Sequence, residues 1–326
     1  MPLRRSLTLV SALAALAALA APGSARVDQV QGRFTGADGL LYESAPAIVA
    51  GQQGYLFLGP DFDFACGLSS AMDHSLKAYA KLAKVISRSG RRVVFTLAPD
   101  KTAVLSDMLP AQPPHGVCDL QGLAAQDQLL EHFKDADFLP LVAPLRRSPR
   151  QVYWHTDQHW TTVGGAVFAK ALAEHLSPQL GRQQRYTYGA ESRLGAMNLA
   201  LGIDTPETLQ TASPADKVTV RTAPGGPDWN GYPEFTFEHA WNSKPAKRTW
   251  AGHTLLLGDS FMWYALENLR PIFRHGHFVW IDHTDTDVPQ AIKDSDTVVI
   301  ELLQLFLPGA PILTQQFRHQ VAQALS

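Results

Sequence analysis

Short apolar runs alternate with helical patterns along this chain, and that alternation limits the fold more than any other feature. Gly54-Tyr55-Leu56-Phe57-Leu58-Gly59 reads as a buried strand bounded by glycines. Ser70 opens a helix with Asp73 as its capping-box partner; Met72, Leu76, Tyr79, Ala83 and Ile86 recur at helical spacing, and Gly90 ends it. Residues 93–97 follow as a core strand stopped by Pro99, and a proline-rich loop holds Pro110, Pro113 and Pro114. Thr161 or Thr162 caps the next helix. Residues 253–257, 277–281 and 297–300 read as further strands, 262–269 and 311–325 as helices. The architecture that buries such strands is α/β, with a central, mostly parallel sheet flanked by helices. Residues 182–250 are less regular, with strands at 217–222 and 234–237, and read as an insertion over one end of the sheet. One domain over 26–326 is expected, without a linker.

Residues 1–25 read as an export signal. Arg4 and Arg5 precede a run of mostly Ala and Leu over 7–21, and Gly23 and Ala25 fit a signal-peptidase site. The run is short for a spanning helix, so the segment is either a cleaved signal peptide or an uncleaved anchor. Export sets the redox compartment: the two cysteines, Cys66 and Cys118, are expected to form a disulfide around the first long helix and the strand after it, two buried thiols being the alternative. The formal net charge of -2 excludes a fold-wide nucleic-acid footprint.

Two segments carry residues that could do chemistry. In Leu256-Leu257-Gly258-Asp259-Ser260-Phe261 an apolar strand enters a Gly-Asp-Ser turn and then a helix. That places a hydroxyl at the carboxyl end of a strand, where open α/β sheets build sites, beside helix N–H groups that can hold an oxyanion. The turn alone is equally a helix cap. The other segment, 153–160, contains Asp157 and His159 two residues apart, which on an extended backbone share a face. Ser260, His159 and Asp157 would then be nucleophile, base and orienting acid. A rival reading makes His155, Asp157 and His159 metal ligands; a packed, satisfied histidine is the blander alternative.

All seven tryptophans lie between Trp154 and Trp280. Aromatic rings cover the apolar faces of sugars while their polar edges meet hydroxyls. Tyr153, Trp160 and Trp263 are candidate substrate-binding rings, and Trp229 with Tyr232 forms a candidate loop platform, whereas Trp280 belongs to a strand and reads as core.

At these residues the chain resembles the SGNH-like O-acetyltransferases of bacterial exopolysaccharide biosynthesis, of the alginate O-acetyltransferase type. Residues 51–58 resemble that family's early Asp-Gly-Trp-Leu-Phe-Leu element, Pro99-Asp100-Lys101 its Pro-x-Lys, Thr156-Asp157-Gln158-His159-Trp160 its Thr-Asp-x-His-Trp, and 258–261 its Gly-Asp-Ser-Phe. Asp and His precede Ser, a circularly permuted order relative to ordinary SGNH esterases. The resemblance implies an SGNH-hydrolase-like domain in which Ser260 accepts an acetyl group, His159 takes and returns protons, Asp157 orients the imidazole and the Ser260 N–H binds the oxyanion. It implies no cofactor and no metal, a periplasmic location with or without inner-membrane anchoring, and three kinds of partner: an exopolysaccharide, a membrane-bound multi-pass acyltransferase that supplies acetyl groups, and other polysaccharide-secretion proteins. The chain departs from the family at residues 194–199, where Gly-Asp-Leu is replaced by Leu-Gly-Ala-Met-Asn-Leu, and the C-terminal carbohydrate-binding module of some relatives is not expected here. Glu301 matches a strand-end acid that is either structural or at the rim. The alternatives are a polysaccharide acetylesterase and a non-catalytic polysaccharide-binding scaffold.

Overall fold

The computed structural model describes residues 33–67, 69–215, 220–221, 238–243, 249–282 and 286–326. Two small hairpins come first, β1 (Arg33–Thr35) with β2 (Leu41–Glu43) and β3 (Ile48–Ala50) with β4 (Leu56–Leu58). The central sheet contains β5 (Arg92–Ala98), β6 (Phe138–Leu139), β9 (Val220–Arg221), β10 (Glu238–Asn242), β11 (Trp250–Gly258), β12 (Phe273–Trp280) and β13 (Thr297–Leu303). Its order is β6-β5-β13-β11-β12-β10-β9. The pairs from β6 to β12 are parallel; β10 and β9 add an antiparallel edge. β7 (Tyr186–Arg193) and β8 (Glu207–Pro214) form a separate hairpin.

The longer helices are α1 (Gly59–Gly67), α2 (Ser69–Arg88), α3 (Val117–His132), α4 (Thr162–Leu176), α5 (Ser260–Leu269) and α6 (Gln315–Leu325). The strands read as unbroken apolar runs because both faces of the sheet are covered. On one face Val94, Leu256, Phe278 and Val299 pack with α4 residues such as Phe168 and Leu172 and α5 residues such as Leu266. On the other, Val93, Phe95, Leu255, Leu257, Val298 and Ile300 pack with Leu76, Tyr79 and Ile86 of α2 and Val321 of α6. Successive strand residues alternate between these two cores, as a pleated strand requires.

Cys66 and Cys118 form the expected disulfide, joining α1 to α3. Gly122 lets these helices touch: a Cβ there would lie 1.8 Å from the Ala65 carbonyl oxygen. Several boundaries differ from the sequence reading. α5 begins at Ser260 itself because Asp259, not Ser260, caps it, its side chain accepting from the Phe261 N–H. The last helix starts at Gln315, after a short 3-10 turn over Pro311–Leu313. The region 182–250 does more than overlie the sheet, since β10 extends it through pairing with β12. The strand read at 234–237 and the leader at 1–25 lie outside the described residues. Among the described residues no helix is long and apolar enough to cross a membrane.

Candidate active site

Residues 153–160 form a tight loop closed by an antiparallel bridge between Tyr153 and Trp160. The Thr161 N–H donates to the Val152 carbonyl at 2.8 Å, and the Thr161 hydroxyl then caps α4 through the N–H groups of Val163 and Gly164. The bridge turns Tyr153 and Trp160 into the core, both 0% exposed, and leaves Asp157 and His159 near the tip. These two rings therefore cannot be sugar platforms, contrary to expectation: with no accessible face they have nothing to offer a ligand. Trp160 instead fastens two elements, its indole N–H donating to the Phe261 carbonyl at 2.9 Å. Trp263 is half-buried, edge-on to Tyr264 with ring centroids 5.2 Å apart. Trp229 and Tyr232 lie outside the described residues.

Ser260, at the carboxyl end of β11, reaches this loop. Its hydroxyl lies 2.8 Å from His159 Nε2, and His159 Nδ1 lies 2.8 Å from Asp157 Oδ1. The carboxylate can only accept, so Nδ1 carries the proton and Nε2 is free to accept from the hydroxyl. Asp157 Oδ1 also accepts from the His159 N–H at 2.9 Å, and Oδ2 from the Ala196 N–H at 3.0 Å. Burial alone would raise the Asp157 carboxyl, but the adjacent His159 and these hydrogen bonds hold it below the ordinary value. His159 thus faces a fixed anion.

The segment in which the chain departs from the resembled family supplies one of those contacts. Ala196 opens a short helix (Ala196–Ala200), and Gly195 lets it approach the loop: a Cβ on Gly195 would lie 2.2 Å from the Thr156 carbonyl oxygen. Glu207, at the start of β8, completes the lock. It accepts from the N–H groups of His155 and Thr156 at 2.9 and 2.8 Å and from the Thr156 hydroxyl. Burial opposes its ionisation, yet these bonds bring its pKa down to about 2. No local motif marks Glu207, and the sequence reading missed it.

Glu207 also removes the metal rival. His155 turns its Nδ1 to Glu207 at 2.9 Å and stacks on Tyr55, ring centroids 4.1 Å apart, while His159 is committed to Asp157 and Ser260. The three proposed ligands do not converge. Elsewhere among the described residues Cys66, His115 and Asp119 draw together, but that sulfur is in the disulfide.

The Gly258-Asp259-Ser260 turn is held from below. Glu301, fully buried, accepts from the N–H groups of Asp259 at 3.3 Å and Met262 at 3.2 Å, so it is structural rather than at the rim. Asp259 accepts from Phe261 at 2.8 Å and Leu303 at 2.7 Å. Burial, then the neighbouring Asp259, keeps the Glu301 carboxyl well above its ordinary value, and burial pushes Asp259 up to about 6. Ser260 is the first residue of α5, a position whose N–H has no partner within its own helix, so it can face an oxyanion. Tyr264, one helical turn beyond Ser260, covers the His159 ring with centroids 4.4 Å apart; the i, i+4 spacing on α5 was the signal that could have found it.

Lys101, from the Pro-x-Lys element, is 2% exposed. Burial draws its pKa down to about 7, against the opposing influence of Asp157, Glu207 and Asp61.

Residues 48–228 match the family model for the SGNH hydrolase-like domain of the acetyltransferase AlgX. The probable alginate O-acetylase AlgJ of Pseudomonas putida is 29% identical over 144 residues, 43% of this chain and 36% of that protein. AlgJ of Pseudomonas fluorescens is 23% identical over 176 residues, 51% of this chain and 44% of that protein. The chain thus spans less than half the length of these curated relatives. The solved O-acetyltransferase domain of Pseudomonas putida AlgJ superposes with a TM-score of 0.53 at 20% identity, over 86% of this chain and 99% of that one. Bacillus cereus PatB1 superposes with a TM-score of 0.61 at 18% identity, over 82% of this chain and 98% of that one. At these identities the structural likeness establishes the SGNH-type fold.

Proposed function

The chain belongs to the family of SGNH hydrolase-like domains of the AlgX acetyltransferase type, and from that membership we propose that it is an O-acetyltransferase acting on an exported bacterial polysaccharide such as alginate. The observation that carries this reading is the unbroken chain of hydrogen bonds from Ser260 through His159 to Asp157. A binding scaffold has no need of it.

His159 Nε2 takes the Ser260 proton as Oγ bonds to the acetyl carbonyl carbon. The carbonyl oxygen becomes an oxyanion facing the Ser260 N–H, and Asp157 stabilises the imidazolium. The donor's leaving oxygen takes the proton from His159 as its bond to the acetyl carbon breaks, leaving acetyl-Ser260. A sugar hydroxyl then gives its proton to His159 and attacks the ester, and His159 returns the proton to Ser260. The name alginate O-acetylase on the relatives supports a uronate polymer as acceptor. The apolar run after Arg4 and Arg5 supports export to the periplasm, where a multi-pass membrane acyltransferase would supply the acetyl groups.

The test is intact-mass spectrometry after incubation with an activated acetyl ester, with and without oligosaccharide acceptors. A gain of about 42 Da that is absent in Ser260→Ala is expected for the covalent intermediate. Transfer to sugar faster than loss to water identifies a transferase, the reverse an acetylesterase. Identical behaviour of the two proteins rejects the serine mechanism.

A further inference from the structure

A fully buried lysine lies directly behind the acid–base loop. Lys101 Nζ donates to the carbonyl oxygens of Leu56 at 2.6 Å, His155 at 3.0 Å and Asp157 at 3.0 Å. An ammonium has three N–H donors, and each meets a backbone oxygen, two of them in the loop that carries Asp157 and His159 and one in β4. The nitrogen also sits 5.4 Å from the centre of the Tyr55 ring and 5.5 Å from that of Phe57, positions in which aromatic faces favour a cation. Leu56 ties the same corner from the other side, its N–H donating to the His155 carbonyl at 2.8 Å.

Burying an ammonium is costly, and an apolar side chain of similar length would fill this space without desolvating a charge. What the apolar side chain could not do is gather three carbonyls. Lys101 opens a short helix (Lys101–Val104) that begins just beyond Pro99 and Asp100 after β5, whereas 153–160 is a loop tip. The carbonyl of Asp157 is one of the three oxygens, so a shift at Nζ moves the residue that orients the base.

We propose that Lys101 is a positioning residue for acyl transfer: its ammonium clamps the Asp157–His159 loop to the short helix after β5 and to β4, and so sets the distance from His159 Nε2 to Ser260 Oγ. This rests on the Ser260 acyl-transfer reading for its catalytic consequence, while the clamp itself can be read without turnover.

The experiment compares the disulfide-intact protein with Lys101→Met, Lys101→Ala, and Ser260→Ala as a blank. One readout is the rate of Ser260 acetylation by 4-nitrophenyl acetate. The other is the downfield proton resonance of His159 Nδ1–H, assigned by its loss in His159→Gln. With near-UV circular dichroism confirming a native fold, Lys101→Met is expected to lose or shift that resonance. It should also slow acetylation about a hundredfold, the scale of a misplaced reacting group, with little change in the ester's KM. Ethylammonium should restore both signals to Lys101→Ala, and ethanol, similar in size and uncharged, should not. A folded Lys101→Met with the wild-type resonance and rate overturns the proposal. If Lys101→Met does not fold, Lys101→Ala refolded with either additive decides: recovery with the amine alone supports the clamp, equal recovery or none overturns it. A wild type that never acetylates Ser260 while the resonance still answers to Lys101 would refute the acyl-transfer reading and leave the clamp standing.

Discussion

The Ser260 hydroxyl and His159 Nε2 are 101 residues apart in the chain and 2.8 Å apart in space. α5 delivers one and the bridged loop before α4 delivers the other. Ser260→Ala and His159→Gln should each reduce acetyl transfer by about 10,000-fold or more, because members of such a unit fail together. Combining them should cost little beyond either alone. Burst kinetics with an activated ester measures this; additive losses would show that the two residues do not act as one unit.

Asp157→Asn keeps the shape of the side chain and removes its charge. The imidazole then loses the acceptor that fixes its tautomer, and transfer should fall by about 10,000-fold. His159 N–H and Ala196 N–H now donate to different carboxylate oxygens, so one of them would face the new amide NH2 in place of an acceptor, and stability should drop by roughly 1–3 kcal/mol. Chemical denaturation and single-turnover rates on the same sample separate the two effects.

Gly195→Ala tests the approach of the Ala196–Ala200 helix to the loop that carries Asp157 and His159. The new methyl meets the Thr156 carbonyl and hydroxyl oxygens, both 2.2 Å from its ideal position. Displacement should cost about 1–3 kcal/mol and should lower the acetylation rate further than it lowers stability, since the Ala196 N–H leaves Asp157. A variant that loses stability but acetylates at the wild-type rate would detach this segment from the mechanism.

The pH dependence of stability has a definite sign. Burial, partly offset by Lys101, pushes Asp61 up to about 7, and burial, partly offset by backbone N–H bonds, pushes Asp259 up to about 6. In the unfolded chain both release their protons near 3.8. The folded state therefore binds more protons across that interval, and its stability falls as pH rises from about 4 to about 7. Asp157 and Glu207 act the other way at lower pH: their contribution is complete above their ordinary values and is lost as pH falls, for Glu207 towards about 2. The Tm should peak in mildly acidic buffer and decline towards neutrality, and Asp61→Asn should flatten the decline. A Tm that climbs steadily over the same interval would contradict this assignment.

The Cys66–Cys118 bond closes a 52-residue separation around α2 and β5. Cys66→Ser with Cys118→Ser should lose roughly 2–4 kcal/mol of stability. Dithiothreitol should destabilise the wild type by a similar amount and leave the double variant unchanged, as differential scanning calorimetry can establish.

Local pattern determined much of this protein. The apolar runs, the helix spacing from Met72 to Ile86, the Thr161 cap and the Gly-Asp-Ser turn at the end of β11 depend on neighbours a few residues away, so the sequence declares them. The same is true of the Asp157–His159 pair, whose contact lies within one turn. α3 was not legible because its burial runs against polarity: Asp119 and Gln126 are inside, joined to His115 and Gln304, while Val117 and Leu120 face out. Only the tertiary structure decided which way the aromatic residues of the loop point. Tyr153 and Trp160 became core because a bridge of backbone hydrogen bonds turned them inward, and composition carries no such direction. The locks on the Asp157–His159 loop, from Glu207, the Ala196 N–H and Lys101, join segments from 39 to 56 residues away. No local periodicity encodes such meetings; the sheet order and the packing of α4 against α5 bring them about.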